Sequence, residues 1–560
     1  MLLALALLDV FHLHRSPAVA IMYLVQQDIP LLVGAALLLP LLARTNPPAI
    51  TRDVRPPRRW VLVLALTATM VAYLGTRFVF LGYALSGDEV MADFDARIFR
   101  AGHLFARLPE AWRPYAEALQ PIFVMIFPGH VAWASTYLPV NAAFRALGAL
   151  VGAADLVNPL WTGGAVIATA AAARRIWPDR PATALISALL LATSSQVLVA
   201  GMSAYAMPAH LALNMVWLWC FLRGGRAGHA GALLCAFLAT GLHQLVFHPL
   251  FAAPFVLQLW LERRWRAAWL YTLGYGLITG FWLCYWPMAL SLSHISAGAG
   301  GDGGPAWFAA RVAWLLARFD PLNAGAMALD LTRFLVWQHP FTIPLAVLGL
   351  GGALRAKGVL RSLALSVLLT VAAVFVLLPY QDHGWGYRYL HGELGAVCLL
   401  AAWTWQDRTG RMPQADRRAA AVSFAVATLA AAFIIAPSCI WQAGRYVRPY
   451  AAASAAIART DADLVIVDDA GSWYTETLVR NDPGLEGRPL VMKLDRLDDG
   501  ALRGLCATHT VAIFDRHAAA RLGIAAAKAD DPGRTRITGR LRRLMAGLGC
   551  GGVPISGGRS

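Results

Sequence analysis

The sequence is short of charge. Only 14% of its 560 residues are Asp, Glu, Lys or Arg, whereas soluble domains carry about 25%. Hydrophobic residues make up 58% of the chain and its mean hydropathy is +0.54. These values exclude an ordinary soluble globular protein and favour a polytopic membrane protein.

The sequence also lacks the common metal and nucleotide motifs. No spacing of His and Cys resembles a zinc site. The glycine-rich stretch 298–304 has no strand-turn-helix context for a phosphate loop, so we expect a flexible hinge there. Five of the seven cysteines lie in or beside apolar runs, and Cys506 and Cys550 in the polar tail can form a disulfide if that tail is outside the cytoplasm.

Positive charge is present, with a net charge of +16, but it is not gathered into one patch. Twenty of the basic residues lie in six short loops between apolar runs. Those loops are 44–59, 174–180, 223–226, 263–266, 355–361 and 408–418. This is the positive-inside pattern, which assigns the loops to the cytoplasm and makes nucleic-acid binding a poor explanation of the charge.

Apolar runs of about helix-crossing length predict the fold. They cover 29–43, 60–83, 158–173, 182–200, 207–222, 228–242, 244–261, 267–291, 334–354, 359–378, 388–405 and 418–438. The sequence therefore predicts an all-α polytopic membrane bundle of about 11–13 helices over residues 1–440. With the basic loops inside, segments 84–157 and 292–333 become extracytoplasmic. We expect two interfacial helices in the apolar half of 84–157, with Trp112, Trp133 and Tyr137 at headgroup depth.

The tail, residues 450–560, changes in character. Residues 463–468, 489–493 and 509–514 are short, mostly aliphatic runs typical of buried strands. Helical stretches are predicted between them, at 472–479 and 498–506. We expect a small soluble α/β domain outside the cytoplasm.

Two adjacent carboxylates, Asp88 and Glu89, follow the long apolar run that ends at Tyr83. Ionisable groups at a membrane boundary are costly to desolvate, so they indicate either hydration or function. The alternative is that both only cap an interfacial helix beginning near Val90, where negative charge favours the helix N-terminus.

The order of these segments resembles the GT-C superfamily of polyprenyl-phosphate-sugar-dependent glycosyltransferases, which includes the protein O-mannosyltransferases and the aminoarabinose transferases. The resemblance covers about 61–405. It rests on Gly87-Asp88-Glu89 at the start of the first extracytoplasmic loop, on Ala-Arg-Arg-Ile-Trp at 173–177 and on Leu-Leu-Leu-Ala-Thr-Ser-Ser at 189–195. It implies a GT-C-like bundle and an inverting sugar transfer.

The resemblance also implies that Asp88 is the general base and that Glu89 orients the site. A carboxylate at a semi-dry membrane rim can have its pKa raised for this work. Asp93 and Asp95 are expected to be solvated. The four carboxylates leave a metal site open, but we expect no cofactor and do not favour divalent-metal dependence.

A second group, residues 381–391, lies at an outer membrane boundary. Arg388 offers a forked cation that matches phosphate oxygens, and Arg388-Tyr389 resembles the Arg-Tyr pair that opens a late helix in related enzymes. His383 and His391 can add donors, so we expect these four residues to bind the donor phosphate. The alternative is an interfacial anchor belt of Trp, Tyr and Arg.

A third group is His243, Gln244 and His248, between two apolar runs. Polar groups at this depth should face the bundle interior. They can bind the sugar or its phosphate, or equally cap the helix break near Pro249.

Together these observations predict an integral-membrane glycosyltransferase. We expect it in a bacterial inner membrane, with its C-terminal domain on the periplasmic side. Its expected partners are a polyprenyl-phosphate-linked sugar, membrane lipid and an extracytoplasmic acceptor: a glycan, a lipid or a protein. The alternative is a transporter or flippase for a lipid-linked sugar, although internal repeats typical of transporters are not evident.

Overall fold

A computed structural model describes residues 2–13, 18–43, 59–295, 304–379, 381, 383–469, 472, 474–525, 532–550 and 555. The basic loop before residue 59 and nearly all of the glycine-rich stretch 298–304 lie outside the described residues.

Helices dominate the described chain. In chain order they are α1 Leu2–Leu8, α2 Ala18–Tyr23, α3 Ile29–Ala43, α4 Arg59–Leu74, α5 Gly87–Arg100, α6 Ala116–Leu119, α7 Val140–Leu150, α8 Val157–Ile176, α9 Ala182–Ala192, α10 Ser195–Gly201, α11 Met207–Arg223, α12 Gly225–Thr240, α13 Phe247–Leu261, α14 Trp265–Leu283, α15 Tyr285–Leu292, α16 Gly304–Ala317, α17 Ala324–Val336, α18 Thr342–Arg355, α19 Val359–Leu377, α20 Leu394–Gly410, α21 Gln414–Ala430, α22 Ala436–Ala458, α23 Asp499–Thr508, α24 Arg516–Arg521 and α25 Pro532–Gly547. The strands are β1 Ala106–Arg107, β2 Val124–Ile126, β3 Ala132–Ser135, β4 Leu464–Val467, β5 Leu490–Lys493 and β6 Val511–Phe514.

Contacts within the chain divide it into two compact units. The first unit is Met1–Gly75, Asp155–Tyr285 and Gly303–Gln442, and the second is Thr76–Ala154, Trp286–Asp302 and Ala443–Ser560. The boundary predicted between residues 440 and 450 stays a prediction.

The first unit is a bundle of apolar helices. Its centre is α8, which packs against α4, α9 and α11, while α20 packs against α9, α18 and α19. Among the described residues of the whole chain, four helical spans are long and apolar enough to cross a membrane, or six if two bent pairs each count as one. The bent pairs are α9 with α10, at 60°, and α14 with α15, at 51°. Two apolar runs of the sequence thus form bent helix pairs rather than single straight helices.

The second unit combines two small sheets with helices. β1, β3 and β2 form an antiparallel sheet, whereas β5, β4 and β6 form a parallel one with β4 in the centre. The three strands predicted in the tail are therefore confirmed to within two residues. One hydrophobic core unites both sheets; it includes Phe94, Trp133, Leu464 and Met492.

The structure of residues 121–139 differs from the prediction. Two interfacial helices were expected there and in the following residues, but only α7 is helical, and β2 and β3 precede it. Gly129 and His130 take positive φ values of 72° and 53° in the turn between these strands, a conformation incompatible with a continuing helix. Trp133 lies in β3, fully buried, and its indole donates to the carbonyl of Pro483 at 2.9 Å. It is a core residue rather than a headgroup anchor.

Candidate active site

The carboxylate pair begins α5 in the second unit. Ser86 is the N-cap, and a capping box forms: the Ser86 hydroxyl accepts from the Glu89 amide at 3.4 Å, while the Glu89 carboxylate accepts from the Ser86 amide at 3.0 Å. Glu89 also accepts from the amide of Leu85 at 3.2 Å and is fully buried. The capping alternative therefore holds for Glu89, whose carboxylate satisfies backbone donors that the helix leaves unpaired.

Asp88 has a different environment from its neighbour. It is 7% exposed and accepts a hydrogen bond from the hydroxyl of Tyr137, which lies just beyond β3. The start of α5 also packs closely against Ile122, because a Cβ atom at Gly87 would lie 2.5 Å from the Ile122 side chain. The first carboxylate of the pair thus faces a phenol that can share its proton, while the second belongs to the helix start.

Asp95 corrects another expectation. It was expected to be solvated, but it is buried and accepts from the Ser135 amide at 3.0 Å. Burial raises the pKa of Asp95 to about 7, although the hydrogen bonds from Ser135 oppose the shift. Asp93 does reach solvent, with 37% of its side chain exposed, and forms an ion pair with Arg145 at 2.6 Å.

The tail of the chain supplies two residues to this region that the sequence did not single out. Arg480 donates to the Tyr83 hydroxyl at 2.7 Å and to the Ala84 carbonyl at 2.9 Å, and lies 4.0 Å over the Tyr83 ring. Asn481 donates to the carbonyl of Leu119 at 2.7 Å. The segment before Asp88 is therefore held by Arg480, which lies 397 positions from Tyr83 in the chain.

In the first unit, Arg388 and Tyr389 line a narrow crevice together. The other lining residues are Met207, His210, Asn214, Phe247, Thr370, Gly392 and Glu393. The Arg388 guanidinium donates to the Tyr389 hydroxyl at 3.3 Å, and the Tyr389 ring stacks on Phe247 at 6.0 Å. Arg388 is half-buried. Arg388 and Tyr389, two of the residues predicted to bind the donor phosphate, therefore line the same crevice.

The two histidine candidates of the same segment have separate surroundings. His383 lies 2.6 Å from the hydroxyl of Tyr23, and His391 lies 3.4 Å from the amide nitrogen of Gln196. Both side chains are buried. Their predicted role in phosphate binding stays a prediction.

One residue of the third predicted group, His248, contacts a residue that lines the crevice. His248 is buried and its Nδ1 lies 2.7 Å from the Asn214 amide oxygen, while its Nε2 lies 2.9 Å from the hydroxyl of Tyr275. Asn214 lines the crevice and donates to the Gly392 carbonyl at 3.0 Å. His243 is buried and Gln244 half-buried. The predicted inward orientation of polar groups is thus observed for His243 and His248.

Arg333 is a residue that sequence reasoning missed. It is 1% exposed, forms an ion pair with Asp28 at 3.3 Å, and donates to the carbonyls of Gly384 at 3.1 Å and Gly386 at 3.3 Å. The Gln196 amide group holds the same segment, accepting from the Tyr387 amide and donating to its carbonyl. Gln196 lies inside an apolar run and Arg333 next to one. A polar residue in or beside such a run is the sequence signal that could have identified both as buried functional candidates.

Among the described residues, no group of three or more His, Cys, Asp or Glu side chains has an arrangement that would hold a metal ion. Cys506 and Cys550, which lie in the tail, form a disulfide.

Comparison with known proteins supports the architecture. No protein-family model and no curated protein sequence matches the chain. The solved structure of ArnT from Cupriavidus metallidurans bound to undecaprenyl phosphate matches with a TM-score of 0.50 and 15% identity, over 78% of this chain and 86% of that one. Its apo state gives a TM-score of 0.48 at 15% identity, over 75% and 84%. The oligosaccharyltransferase of Archaeoglobus fulgidus gives 0.42 at 13% identity, over 72% and 59%. The similarity to the ArnT structure confirms the predicted fold class, a helical bundle with a small α/β C-terminal region.

Proposed function

We propose that this protein is a membrane glycosyltransferase that moves a monosaccharide from a polyprenyl-phosphate donor to an extracytoplasmic acceptor. The observation that carries the proposal is the position of Asp88 in a GT-C fold: a buried carboxylate beside a phenol, at the first helix after a membrane-length span. The ArnT structure of the same fold holds undecaprenyl phosphate, which supports a lipid phosphate as donor.

The proposed reaction is a single displacement. The acceptor hydroxyl oxygen attacks the anomeric carbon of the donor sugar, and Asp88 takes the hydroxyl proton as the new C–O bond forms. The bond from the anomeric carbon to the phosphate oxygen breaks, and polyprenyl phosphate leaves with the electron pair. Attack opposite to the leaving group inverts the anomeric configuration.

Only one of the two carboxylates is assigned to proton transfer. Glu89 accepts hydrogen bonds from the backbone amides of Leu85 and Ser86, and these bonds fix the orientation of its carboxylate. Its role is to hold the start of α5, and thereby Asp88, in place. Tyr137 orients the Asp88 carboxylate from the other side.

The leaving phosphate needs cations and donors rather than a proton. Arg388 and Tyr389 are proposed to supply them from the crevice wall. The crevice is narrow, so phosphate binding requires movement of long side chains such as those of Met207 and Arg388. Both are flexible enough for this.

The distribution of basic residues and the disulfide in the tail support one orientation in the membrane. The basic loops favour the cytoplasm, and the disulfide between Cys506 and Cys550 supports an oxidising compartment for the tail. We propose a bacterial inner membrane with the second unit on the periplasmic side. A cysteine introduced near residue 500 should react with a membrane-impermeant maleimide in intact spheroplasts; protection there, with labelling after lysis, contradicts this orientation.

The direct test of function is sugar transfer by the purified full-length protein from a panel of polyprenyl-phosphate monosaccharides, in the presence and absence of EDTA. Wild type should transfer in both, and Asp88→Asn should lose a factor of about 10²–10⁴ in turnover. Asp93→Asn is the matched control, because Asp93 lies one and a half turns along the same helix and faces Arg145. Full activity of a folded Asp88→Asn protein removes the base assignment. Translocation of a lipid-linked sugar without transfer would instead identify a flippase.

A further inference from the structure

A short segment between β4 and β5, residues 475–483, belongs to the α/β tail but contacts the start of α5, which carries Asp88. Its first four residues form a 3₁₀ turn. Asn481 fixes the segment to the sheet: its side-chain amide donates to the Val491 carbonyl in β5 at 2.7 Å and accepts from the Val491 amide at 2.8 Å. The segment therefore has a fixed position from which it can hold other parts of the second unit.

Arg480 in this segment holds the stretch of chain before Asp88. Its Nη2 donates to the Tyr83 hydroxyl at 2.7 Å and to the Ala84 carbonyl at 2.9 Å, while its Nε donates to the Thr477 carbonyl at 3.0 Å. The guanidinium carbon lies 4.0 Å from the centre of the Tyr83 ring. A planar, forked cation is thus fixed by three hydrogen bonds and one aromatic face, an arrangement that lysine does not reproduce.

The fixed stretch leads directly to Asp88. The two residues after Ala84 donate their backbone amides to the Glu89 carboxylate, at 3.2 and 3.0 Å. All four residues from 83 to 86 are at most 9% exposed, so the chain has little room to shift where it enters α5. Asp88 is the second residue of that helix, and the position of its carboxylate therefore depends on the contacts of Arg480.

The same segment also holds the strand that leads to Tyr137. The carbonyl of Pro483 accepts from the indole of Trp133 in β3 at 2.9 Å, and Trp133 is fully buried. Ser135 ends that strand, and its hydroxyl accepts from the Tyr137 amide at 2.9 Å. Tyr137 in turn donates to Asp88. One segment of the tail thus contacts both the chain that carries the carboxylate and the chain that carries its phenol partner.

We propose that Arg480 is a positioning residue for sugar transfer, which holds the start of α5 so that the Asp88 carboxylate stays beside Tyr137. The α/β tail is then a required part of the active site. The proposal rests on the proposed function for the reaction and for the role of Asp88. Arg480 acts through Tyr83 and Ala84, so its loss should lower turnover rather than donor affinity.

The first test measures transfer by the purified full-length Arg480→Met protein, which keeps a long side chain but loses the donors. Because a displacement of about 1 Å can cost about 10²-fold in rate, turnover should fall by about 10- to 100-fold, while KM for the polyprenyl-phosphate donor stays within about twofold. Arg480→Lys keeps the charge but not the fork, so its turnover should also be well below that of wild type.

Arg488→Met is the matched control in the same tail. Arg488 also donates to two backbone carbonyls, those of Leu485 and Gly487, and it also lies over an aromatic ring, that of Trp112. Its carbonyl partners are local, so Arg488→Met should keep the turnover of wild type.

A double variant distinguishes the positioning of Asp88 from a general contribution to stability. If Arg480 acts through Asp88, the loss caused by Arg480→Met should almost disappear in the Asp88→Asn background, which has no base left to position. A contact that only stabilises the fold would lower turnover by the same factor in both backgrounds. Equal factors would overturn the proposal, and so would full turnover of Arg480→Met or of Arg480→Lys.

Hydrogen exchange tests the positioning without sugar transfer. In Arg480→Met the amides of residues 83–90 should exchange faster than in wild type, whereas those of β5 should not. Tyr83→Phe removes one hydrogen bond of Arg480 and should give a smaller change at the same amides, so the test does not depend on one variant folding. Unchanged exchange at 83–90 in the folded variants overturns the proposal. If exchange rises as expected but wild type transfers no sugar from any donor, the proposed function fails and the role of Arg480 in holding the start of α5 stands.

Discussion

Two buried aspartates, one in each unit, are accommodated in different ways. In the first, Asp28 and Arg333 are both almost fully buried and form an ion pair at 3.3 Å, with Arg333 between the rings of Tyr23 and Trp337. In the second, Asp95 is also buried, but a backbone amide of Ser135 contacts it and burial raises its pKa to about 7. Asp28 is thus paired with a cation, whereas the pKa of Asp95 is raised.

The difference bears on function. A buried ion pair is rigid and costly to break, so it suits the segment from Gly384 to Arg388 that Arg333 holds. A carboxyl group with a raised pKa responds to pH near neutrality. Asp88 accepts a hydrogen bond from the phenol of Tyr137.

The largest effect is expected at the buried pair. Arg333→Met leaves Asp28 charged and buried without its ion-pair partner, which should destabilise the protein by about 3–5 kcal/mol. The double variant Asp28→Leu with Arg333→Met should recover most of this loss. Thermal unfolding in detergent compares the three proteins, and a double variant as unstable as the single one would contradict the ion-pair interpretation.

Asp95 should make stability depend on pH in a defined direction. Its carboxyl group keeps its proton up to about pH 7 when folded, but loses it near pH 4 when unfolded. The folded protein therefore binds the extra proton between these values, and stability should fall as pH rises through this window, by at most about 1.4 kcal/mol per pH unit. Asp95→Asn should flatten the profile. An unchanged slope would exclude Asp95 as its source.

The capping box predicts a smaller effect and separates the two adjacent carboxylates. Glu89→Ala should cost about 1 kcal/mol of unfolding free energy because the start of α5 loses its cap. Glu89→Gln keeps an acceptor for the Ser86 amide, so it should retain both stability and sugar transfer. A folded Glu89→Gln protein without transfer activity would make Glu89 the base instead of Asp88.

The smallest effect is expected for the ion pair of Asp93 with Arg145. Asp93 is partly exposed, and pairs of this kind contribute about 0–1 kcal/mol. Asp93→Asn should therefore shift the unfolding midpoint little, and the shift should shrink further in 0.5 M NaCl as salt screens the charges. A loss comparable with that of Arg333→Met would show that exposure does not separate the two pairs.

Segments with a clear hydrophobic pattern were the part of this chain whose structure could be predicted from the sequence. The tail strands at 464–467, 490–493 and 511–514 lie within short, mostly aliphatic runs. Such runs are typical of buried strands. The sheet of β1, β2 and β3 escaped prediction because its strands are two to four residues long. A strand of this length is too short to show the alternation of apolar and polar side chains that predicts strands. The pairing of β2 with β3 also depends on the turn at Gly129.

The candidate site also has a part that could be predicted from the sequence and a part that could not. Adjacent carboxylates after an apolar run were sufficient to locate a functional candidate. The different surroundings of Asp88 and Glu89 become visible only in three dimensions: Tyr137, 49 residues away, contacts Asp88, whereas Glu89 belongs to a local capping box. Arg480 and Tyr83 meet across 397 positions, a contact that no local pattern encodes.

The sequence by itself determined the helical membrane bundle, the α/β tail and the position of the acidic pair, because hydrophobicity and strand propensity act over neighbouring residues. The tertiary structure alone decided which buried charges are paired, which carboxylate caps a helix, and that Arg480 of the tail contacts the segment before Asp88. Those outcomes depend on desolvation and hydrogen-bond geometry among residues that are distant in the chain, and only packing brings such residues together.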